Sequence, residues 1–310
     1  MTIDILLTQP LPDAIDAELS ARYAVHRLYG TDEPDALLAR VAPRIRGVVT
    51  GGANGLSAAL MDRLGALEIV AINGIGTDAV DLERARARGI HVTTTPDVLT
   101  DDVADMAMGL ILMTLRDLGL GERIVRAGRW GTFAQPLATQ VTGKRLGIVG
   151  LGRIGEKCAR RAAGFDIEIG YHNRAAKQVP YRYFERLDAL AQWADFLIVA
   201  TPGGAGTRHL IDRTVLDALG PHGFLVNVSR GSVVDTAALA DALRERRLAG
   251  AALDVYEGEP EPPRALTALD NVVLTPHLGG WSPEALDRSV QQFLDNAARH
   301  FAGEPLLTPL

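Results

Sequence analysis

Two doubly wound parallel-sheet domains are predicted for this chain by three observations. Short apolar runs alternate with helical patterns along nearly its whole length, and such alternation builds parallel α/β sheets. In mid-chain, Gly150-Leu151-Gly152-Arg153-Ile154-Gly155 joins the apolar run Leu146–Val149 to a helix-like stretch, Glu156–Gly164. Strand, glycine turn and helix in that order are the fingerprint of a dinucleotide-binding βαβ unit. Its position means that the nucleotide domain is not the N-terminal one. The architecture predicted is α/β, with a Rossmann nucleotide domain at 99–283 inserted into a flavodoxin-like substrate domain made of 1–98 plus 284–310.

In the first hundred residues, Ile3–Leu7, Ile45–Thr50 and Leu67–Ile72 are predicted strands, with Asp13–Ser20, Pro34–Ala42 and Ala79–Arg88 as the helices between them. A long helical stretch, Asp101–Ala127, follows, with cap-type residues at Thr100-Asp101. After the fingerprint come strands Ile167–Tyr171, Phe196–Ala200, Gly223–Val228, Ala251–Val255 and Val272–Leu274. A last helix, Pro283–His300, ends at Phe301-Ala302-Gly303 and is expected to return to the first domain. The two long helices would form the crossings, with substrate in the cleft between the domains.

Composition narrows the function classes. With 310 residues the chain holds two domains of ordinary size, and 47% hydrophobic with 23% charged residues is typical of a globular protein. A net charge of −6 with no basic stripe argues against a nucleic-acid partner. No apolar run approaches the ~20 residues that span a bilayer, and the N-terminus lacks a basic signal-peptide region. The single cysteine, Cys158, excludes an internal disulfide and a thiolate metal cluster; it is predicted to be a core residue. The expectation is a cytoplasmic protein with neither membrane nor metal partner.

The fingerprint glycines permit a tight turn, backbone approach to a pyrophosphate, and close packing of helix on strand, while the helix N-terminus offers N–H groups to phosphates. In an NAD-binding unit a carboxylate about 20 residues further on takes the ribose hydroxyls. Here the next strand ends in His172-Asn173-Arg174, followed by Lys177, and Glu168 falls too early. A guanidinium at that place pairs with a 2′-phosphate that a carboxylate would repel. The cofactor predicted is therefore NADP(H), with Asn173, Arg174 and Lys177 at its adenosine end.

Three later segments carry ionisable residues after strands: Arg230 in Asn227-Val228-Ser229-Arg230-Gly231, Glu259 in Asp254-Val255-Tyr256-Glu257-Gly258-Glu259-Pro260, and His277 in Thr275-Pro276-His277-Leu278-Gly279. All three would gather at the carboxyl edge of the nucleotide sheet. Spacing alone does not separate Glu257 from Glu259. The glycine loops Gly51-Gly52-Ala53 and Gly74-Ile75-Gly76 are tight turns or, alternatively, backbone donors to an anionic substrate.

With these segments, Thr201-Pro202-Gly203, Leu225–Asp235, Gly250–Pro260, Thr275–Gly280, Val98-Leu99-Thr100 and Gly74-Ile75-Gly76-Thr77-Asp78, the chain resembles the D-isomer-specific 2-hydroxyacid dehydrogenases over nearly its whole length. Within them it is most similar to NADP-dependent glyoxylate/hydroxypyruvate reductases, through His172-Asn173-Arg174. The resemblance implies that Arg230, Glu259 and His277 are catalytic. His277 would donate a proton, Glu259 would orient its ring, and Arg230 would polarise the carbonyl and hold the carboxylate. It also implies that Thr100, Gly150, Gly152, Arg153 and Ile154 meet the cofactor phosphates. Thr201, Pro202 and Thr207 would border the adenosine half, Asp254 would accept from the nicotinamide amide, and Val228, Ser229 and Gly279 would line the groove. Gly52, Ala53, Ile75 and Gly76 would bind the substrate carboxylate together with Arg230 and His277. A homodimer through the region of the Asp101–Ala127 helix is implied as well.

The chain departs from reductases that close the site with a partner's tryptophan after a Pro-Leu pair, because Pro136-Leu137 is followed by Ala138. Trp281 either lines the pocket instead or packs at the start of the last helix. That departure keeps a second substrate reading open, a bulkier 2-oxo acid such as an arylpyruvate or keto sugar acid. Formate-type dehydrogenases resemble the chain less, since they carry an amide where Glu259 stands. A non-enzymatic dinucleotide-sensing module, as in the family's co-repressors, is the alternative from another class.

Overall fold

The computed structural model describes residues 2–52, 54–132 and 137–310. The chain divides into one unit of Met1–Leu99 with Ser282–Leu310 and a second of Thr100–Trp281. In the first, strands β1 (Asp4–Leu7), β2 (Ala24–Arg27), β3 (Ile45–Gly51), β4 (Ile69–Asn73) and β5 (His91–Thr93) form a sheet of order β2-β1-β3-β4-β5. All its pairings are parallel, and this is the flavodoxin-like order. The helix Pro283–Ala302 belongs to this unit, burying Val290, Phe293 and Leu294 against Ile5, Leu7 and Leu19. Ser282 caps it by accepting from Ala285 N, and Gly303 ends it in the left-handed conformation.

The second unit contains β6 (Arg145–Val149), β7 (Glu168–His172), β8 (Arg182–Tyr183), β9 (Phe196–Val199), β10 (Phe224–Asn227), β11 (Gly250–Leu253) and β12 (Val272–Leu274). Their order, β12-β11-β10-β9-β6-β7-β8, is that of a Rossmann sheet with one strand added. The strand order reverses between β6 and β9, so the crevice for a ligand lies beyond their carboxyl ends. β9, β10 and β11 are buried at every residue, as expected of strands covered by helices on both faces. The doubly wound α/β prediction therefore holds for both sheets.

The predicted helix Asp101–Ala127 is two helices, Thr100–Leu115 and Leu118–Arg126, separated at Asp117, which adopts a left-handed φ of 50°. The reason lies in burial. The first helix buries residues from Val103 to Leu115, whereas the second buries only Ile124, so one straight rod could not serve both faces. Cys158 is fully buried, as predicted, and burial pushes its thiol up to about 12. Among the described residues no helix is long and apolar enough to cross a membrane.

Candidate active site

The glycine turn follows β6 at the point where the strand order reverses. Gly150 has φ +95°, and a Cβ there would lie 2.7 Å from Thr201 N. At Gly155 a Cβ would lie 2.4 Å from the Gly150 carbonyl oxygen, so helix and turn pack too closely for any side chain. Gly152, by contrast, faces open space within 4 Å and caps the helix Arg153–Ala162. Two glycines thus shape the turn, and the middle one leaves room for a phosphate beside free helix N–H groups. Thr100 is buried at the start of its helix, where Asp101 pairs with Lys157 and Arg161 of the fingerprint helix.

At the end of β7, Asn173 Oδ1 accepts from Leu151 N at 2.7 Å. Lys177 Nζ donates to Leu151 O at 2.8 Å and to Glu156 Oε1 at 2.5 Å. Arg174 is exposed. No carboxylate stands at this strand end, since Glu168 opens β7. After β9, Thr207 Oγ1 donates to Pro202 O at 2.8 Å, closing the loop that begins at Thr201.

Arg230, Glu259 and His277 follow the adjacent strands β10, β11 and β12. His277 Nδ1 and Glu259 Oε2 are 2.7 Å apart, and Glu259 Oε1 accepts from Tyr256 N at 2.7 Å. The tie with Glu257 is broken by geometry: Glu257 Oε1 lies 2.8 Å from His209 Nε2 and does not face His277. Burial alone would raise the Glu259 carboxyl, but the His277 ring and the Tyr256 N–H outweigh it and lower it. The Glu259 bond raises the His277 ring above its ordinary value, helped by the Asp254 charge and opposed by burial and by the Arg230 cation. His277 is thus favoured as imidazolium, with its side chain 44% exposed and open to a reactant. The Glu259→Gln variant should therefore lose activity at lower pH than wild type on the alkaline side. The pH profile of kcat/KM checks this; an unmoved alkaline limb would show that Glu259 does not control the titration of a group the activity needs.

Buried Asp254 holds the histidine loop. Oδ1 accepts from Thr275 Oγ1 at 2.6 Å and Leu278 N at 2.8 Å, and Oδ2 accepts from Gly279 N at 2.7 Å. A Cβ on Gly279 would stand 2.9 Å from Asp254 Oδ2. Arg230 Nη1 donates to Ser229 O at 2.6 Å, and buried Asn227 ties the same loop through Ser229 and the Arg230 carbonyl. Val228 and Ser229 are buried beside it.

Gly231 brings this loop against the Glu259 segment, since a Cβ there would fall 1.8 Å from the Tyr256 carbonyl carbon. Gly231→Ala should therefore cost about 2–3 kcal/mol of stability, read as a lowered Tm. A melting point equal to wild type would show that the two segments are not held in contact.

In the first unit, the loops after β3 and β4 lie side by side: a Cβ on Gly52 would sit 3.0 Å from Gly76 O. Gly74 has φ +134°, and its N–H donates to Thr95 Oγ1 at 2.9 Å. Ile75 is 41% exposed. Ala53 and Pro136 lie outside the described residues. Trp281 is 74% exposed, so it does not pack as an aromatic at the start of the last helix. Sequence reading did not find Tyr256, Asn227 or Gly231, which position the site through backbone contacts. Only Gly231, directly after a candidate cation, offered a signal.

Residues 108–279 match the family model described as D-isomer specific 2-hydroxyacid dehydrogenase, NAD binding domain. Glyoxylate/hydroxypyruvate reductase A of Arabidopsis thaliana is 44% identical over 310 residues, covering 100% of this chain and 99% of the relative. Hydroxyphenylpyruvate reductase of Plectranthus scutellarioides is 44% identical over 309 residues, with 99% of each covered. Among solved structures, an NADPH-dependent glyoxylate/hydroxypyruvate reductase of Sinorhizobium meliloti in complex with NADP and malonate superposes with a TM-score of 0.94. It is 40% identical and covers 100% of this chain and 97% of its own.

Proposed function

We propose that this chain, which belongs to the D-isomer specific 2-hydroxyacid dehydrogenase family, reduces 2-oxo acids to D-2-hydroxy acids with NADP(H). The observation that carries the reading is the His277–Glu259 pair at 2.7 Å, beside Arg230 at the carboxyl edge of a dinucleotide-type sheet. The turn fits the cofactor, since Gly152 leaves space open before a helix N-terminus and the end of β7 offers Arg174 in place of a carboxylate. Gly150, Gly152, Arg153, Ile154 and Thr100 would hold the phosphates, and Arg174 the 2′-phosphate. Thr201, Pro202 and Thr207 would border the adenosine, with Val228, Ser229, Asp254 and Gly279 toward the nicotinamide. When bound, the dinucleotide supplies the hydride.

The protein's own residues do the rest. Arg230 holds the substrate carboxylate and draws electron density from the carbonyl oxygen, stabilising the charge that develops there. His277 delivers its proton to that oxygen, and the negative Glu259 stabilises the imidazolium before transfer. Within the first unit, the N–H groups of Gly52, Ile75 and Gly76 are proposed as substrate-binding donors, a reading supported by the side-by-side packing of their loops.

Glyoxylate and hydroxypyruvate are the favoured substrates, as in the Arabidopsis and Sinorhizobium relatives. An arylpyruvate is the second reading, supported by the likeness to hydroxyphenylpyruvate reductase. A homodimer is supported by Leu118, Val125 and Trp130, exposed at 51%, 59% and 81% around the helix Leu118–Arg126. A cytoplasmic setting fits the single, buried cysteine.

The test is kcat/KM with NADPH and NADH in parallel, for wild type and Arg174→Ala. Wild type should prefer NADPH, and the variant should lose about tenfold or more of that preference while retaining its NADH rate. Equal use of both cofactors by wild type would overturn the NADP(H) assignment.

A further inference from the structure

The loop after β7 is braced from several sides. The hydroxyl of buried Tyr171 accepts from Lys177 N at 2.8 Å and donates to Lys177 O at 3.3 Å. Tyr183 Oη donates to Asn173 O at 3.3 Å. Both ends of the loop also reach the glycine turn: Asn173 accepts from the Leu151 N–H, and Lys177 Nζ donates to the Leu151 carbonyl. The second partner of Lys177 is Glu156 on the fingerprint helix, at 2.5 Å. The ammonium is therefore engaged by a carbonyl and a carboxylate, both from the segment that cradles the pyrophosphate. Between the braced ends, Arg174, Ala175 and Ala176 are exposed, and among the described residues no hydrogen bond or ion pair holds Arg174.

We propose that Lys177 and Glu156 are positioning residues that lock the Arg174 loop onto the Leu151 peptide, and that Arg174 alone of these cations meets the 2′-phosphate. The inference rests on the NADP(H) reading and deepens it. A lysine that served the 2′-phosphate directly would have to leave Glu156, stranding a carboxylate beside an incoming dianion. As a strut it keeps that carboxylate neutralised and fixes the turn for any dinucleotide, whether phosphorylated at the 2′ position or not. Sequence reading grouped Lys177 with Arg174 as a basic strand end; the geometry separates their tasks.

Calorimetric titration of the full chain with 2′,5′-ADP and with ADP distinguishes them without turnover. Arg174→Ala should weaken 2′,5′-ADP about tenfold or more and leave ADP unchanged. Lys177→Met and Glu156→Gln should each weaken both ligands by a similar factor, roughly twofold to fivefold, since the bridge is half-exposed. Both side chains lie at the surface, so melting points near wild type are expected. Weakening of 2′,5′-ADP alone by Lys177→Met would overturn the strut, as would tighter 2′,5′-ADP binding in Glu156→Gln, the result for a lysine released to the phosphate. Unchanged binding of both ligands in both variants would overturn it too. Should wild type bind 2′,5′-ADP no better than ADP, the NADP(H) reading falls, while the strut is still tested through ADP.

Discussion

Replacing His277 by Asn should lower kcat for reduction of a 2-oxo acid by about 10²–10⁴-fold, the span of general acid–base catalysis by a positioned side chain, while cofactor affinity stays near wild type. Asn is the suitable replacement because His277 sits at a left-handed φ of 54°, which Asn tolerates better than Ala. The backbone bonds of the loop, His277 N to Asp254 O at 2.9 Å and Leu278 N to Asp254 Oδ1 at 2.8 Å, do not involve the ring and should survive. What is lost is the proton and its orienting bond to Glu259. The separation matters: the residues proposed for the cofactor's phosphates and adenosine lie at the start of the helix Thr100–Leu115, on the glycine turn and on the loops after β7 and β9. Those proposed for the nicotinamide side include Asp254, which keeps its backbone bond to the His277 N–H in the variant. Single-turnover measurements with prebound dinucleotide check this directly. An unchanged rate would mean that another group supplies the proton.

Arg230→Lys should reduce kcat/KM by about 10²–10³-fold although the charge is kept, close to the cost of removing one preorganised oxyanion donor. The guanidinium is oriented in part by its 2.6 Å bond from Nη1 to Ser229 O, and its planar fork matches a carboxylate. A lysine ammonium has no second fork to offer and a longer flexible stem to immobilise. The loss should fall on both KM and kcat, because the proposed role has one group both bind the carboxylate and stabilise the developing charge. Kinetics over a glyoxylate range would expose a purely electrostatic role, for which the lysine variant would retain most activity.

The parts of this molecule that follow from local rules were legible in its sequence. Gly150 and Gly155 stand where a Cβ would run into backbone, and Gly152 faces open space, which matches the tight turn and close helix packing that the fingerprint predicts. The buried strands β6 and β9–β11 and the half-buried β12 announced themselves as short apolar runs, and the basic end of β7 by the lack of a carboxylate. What was hidden depends on tertiary contact. β8 is only two residues long, Arg182–Tyr183, and pairs because β7 offers it an edge. β2 is half-buried and carries His26 and Arg27, so no apolar run marks it. The break at Asp117 reflects a change in what each helix packs against, with no proline to signal it. Glu257 and Glu259 could not be told apart by spacing, because the choice is made by His209 on one side and by Tyr256 and His277 on the other. Trp281 could line the pocket or pack at the start of the last helix on sequence alone, and its 74% exposure removes the packing reading.

The central claim is that a protonated His277, held by Glu259, completes reduction of a 2-oxo acid on this dinucleotide sheet. Its most direct test is to incubate the protein with NADPH and glyoxylate, hydroxypyruvate or hydroxyphenylpyruvate, and to follow NADPH loss together with the product on a chiral column. Equal amounts of NADPH consumed and hydroxy acid formed are predicted, with the D isomer as product wherever the acid is chiral. No NADPH loss with any of the acids, or formation of the L isomer, would contradict the account.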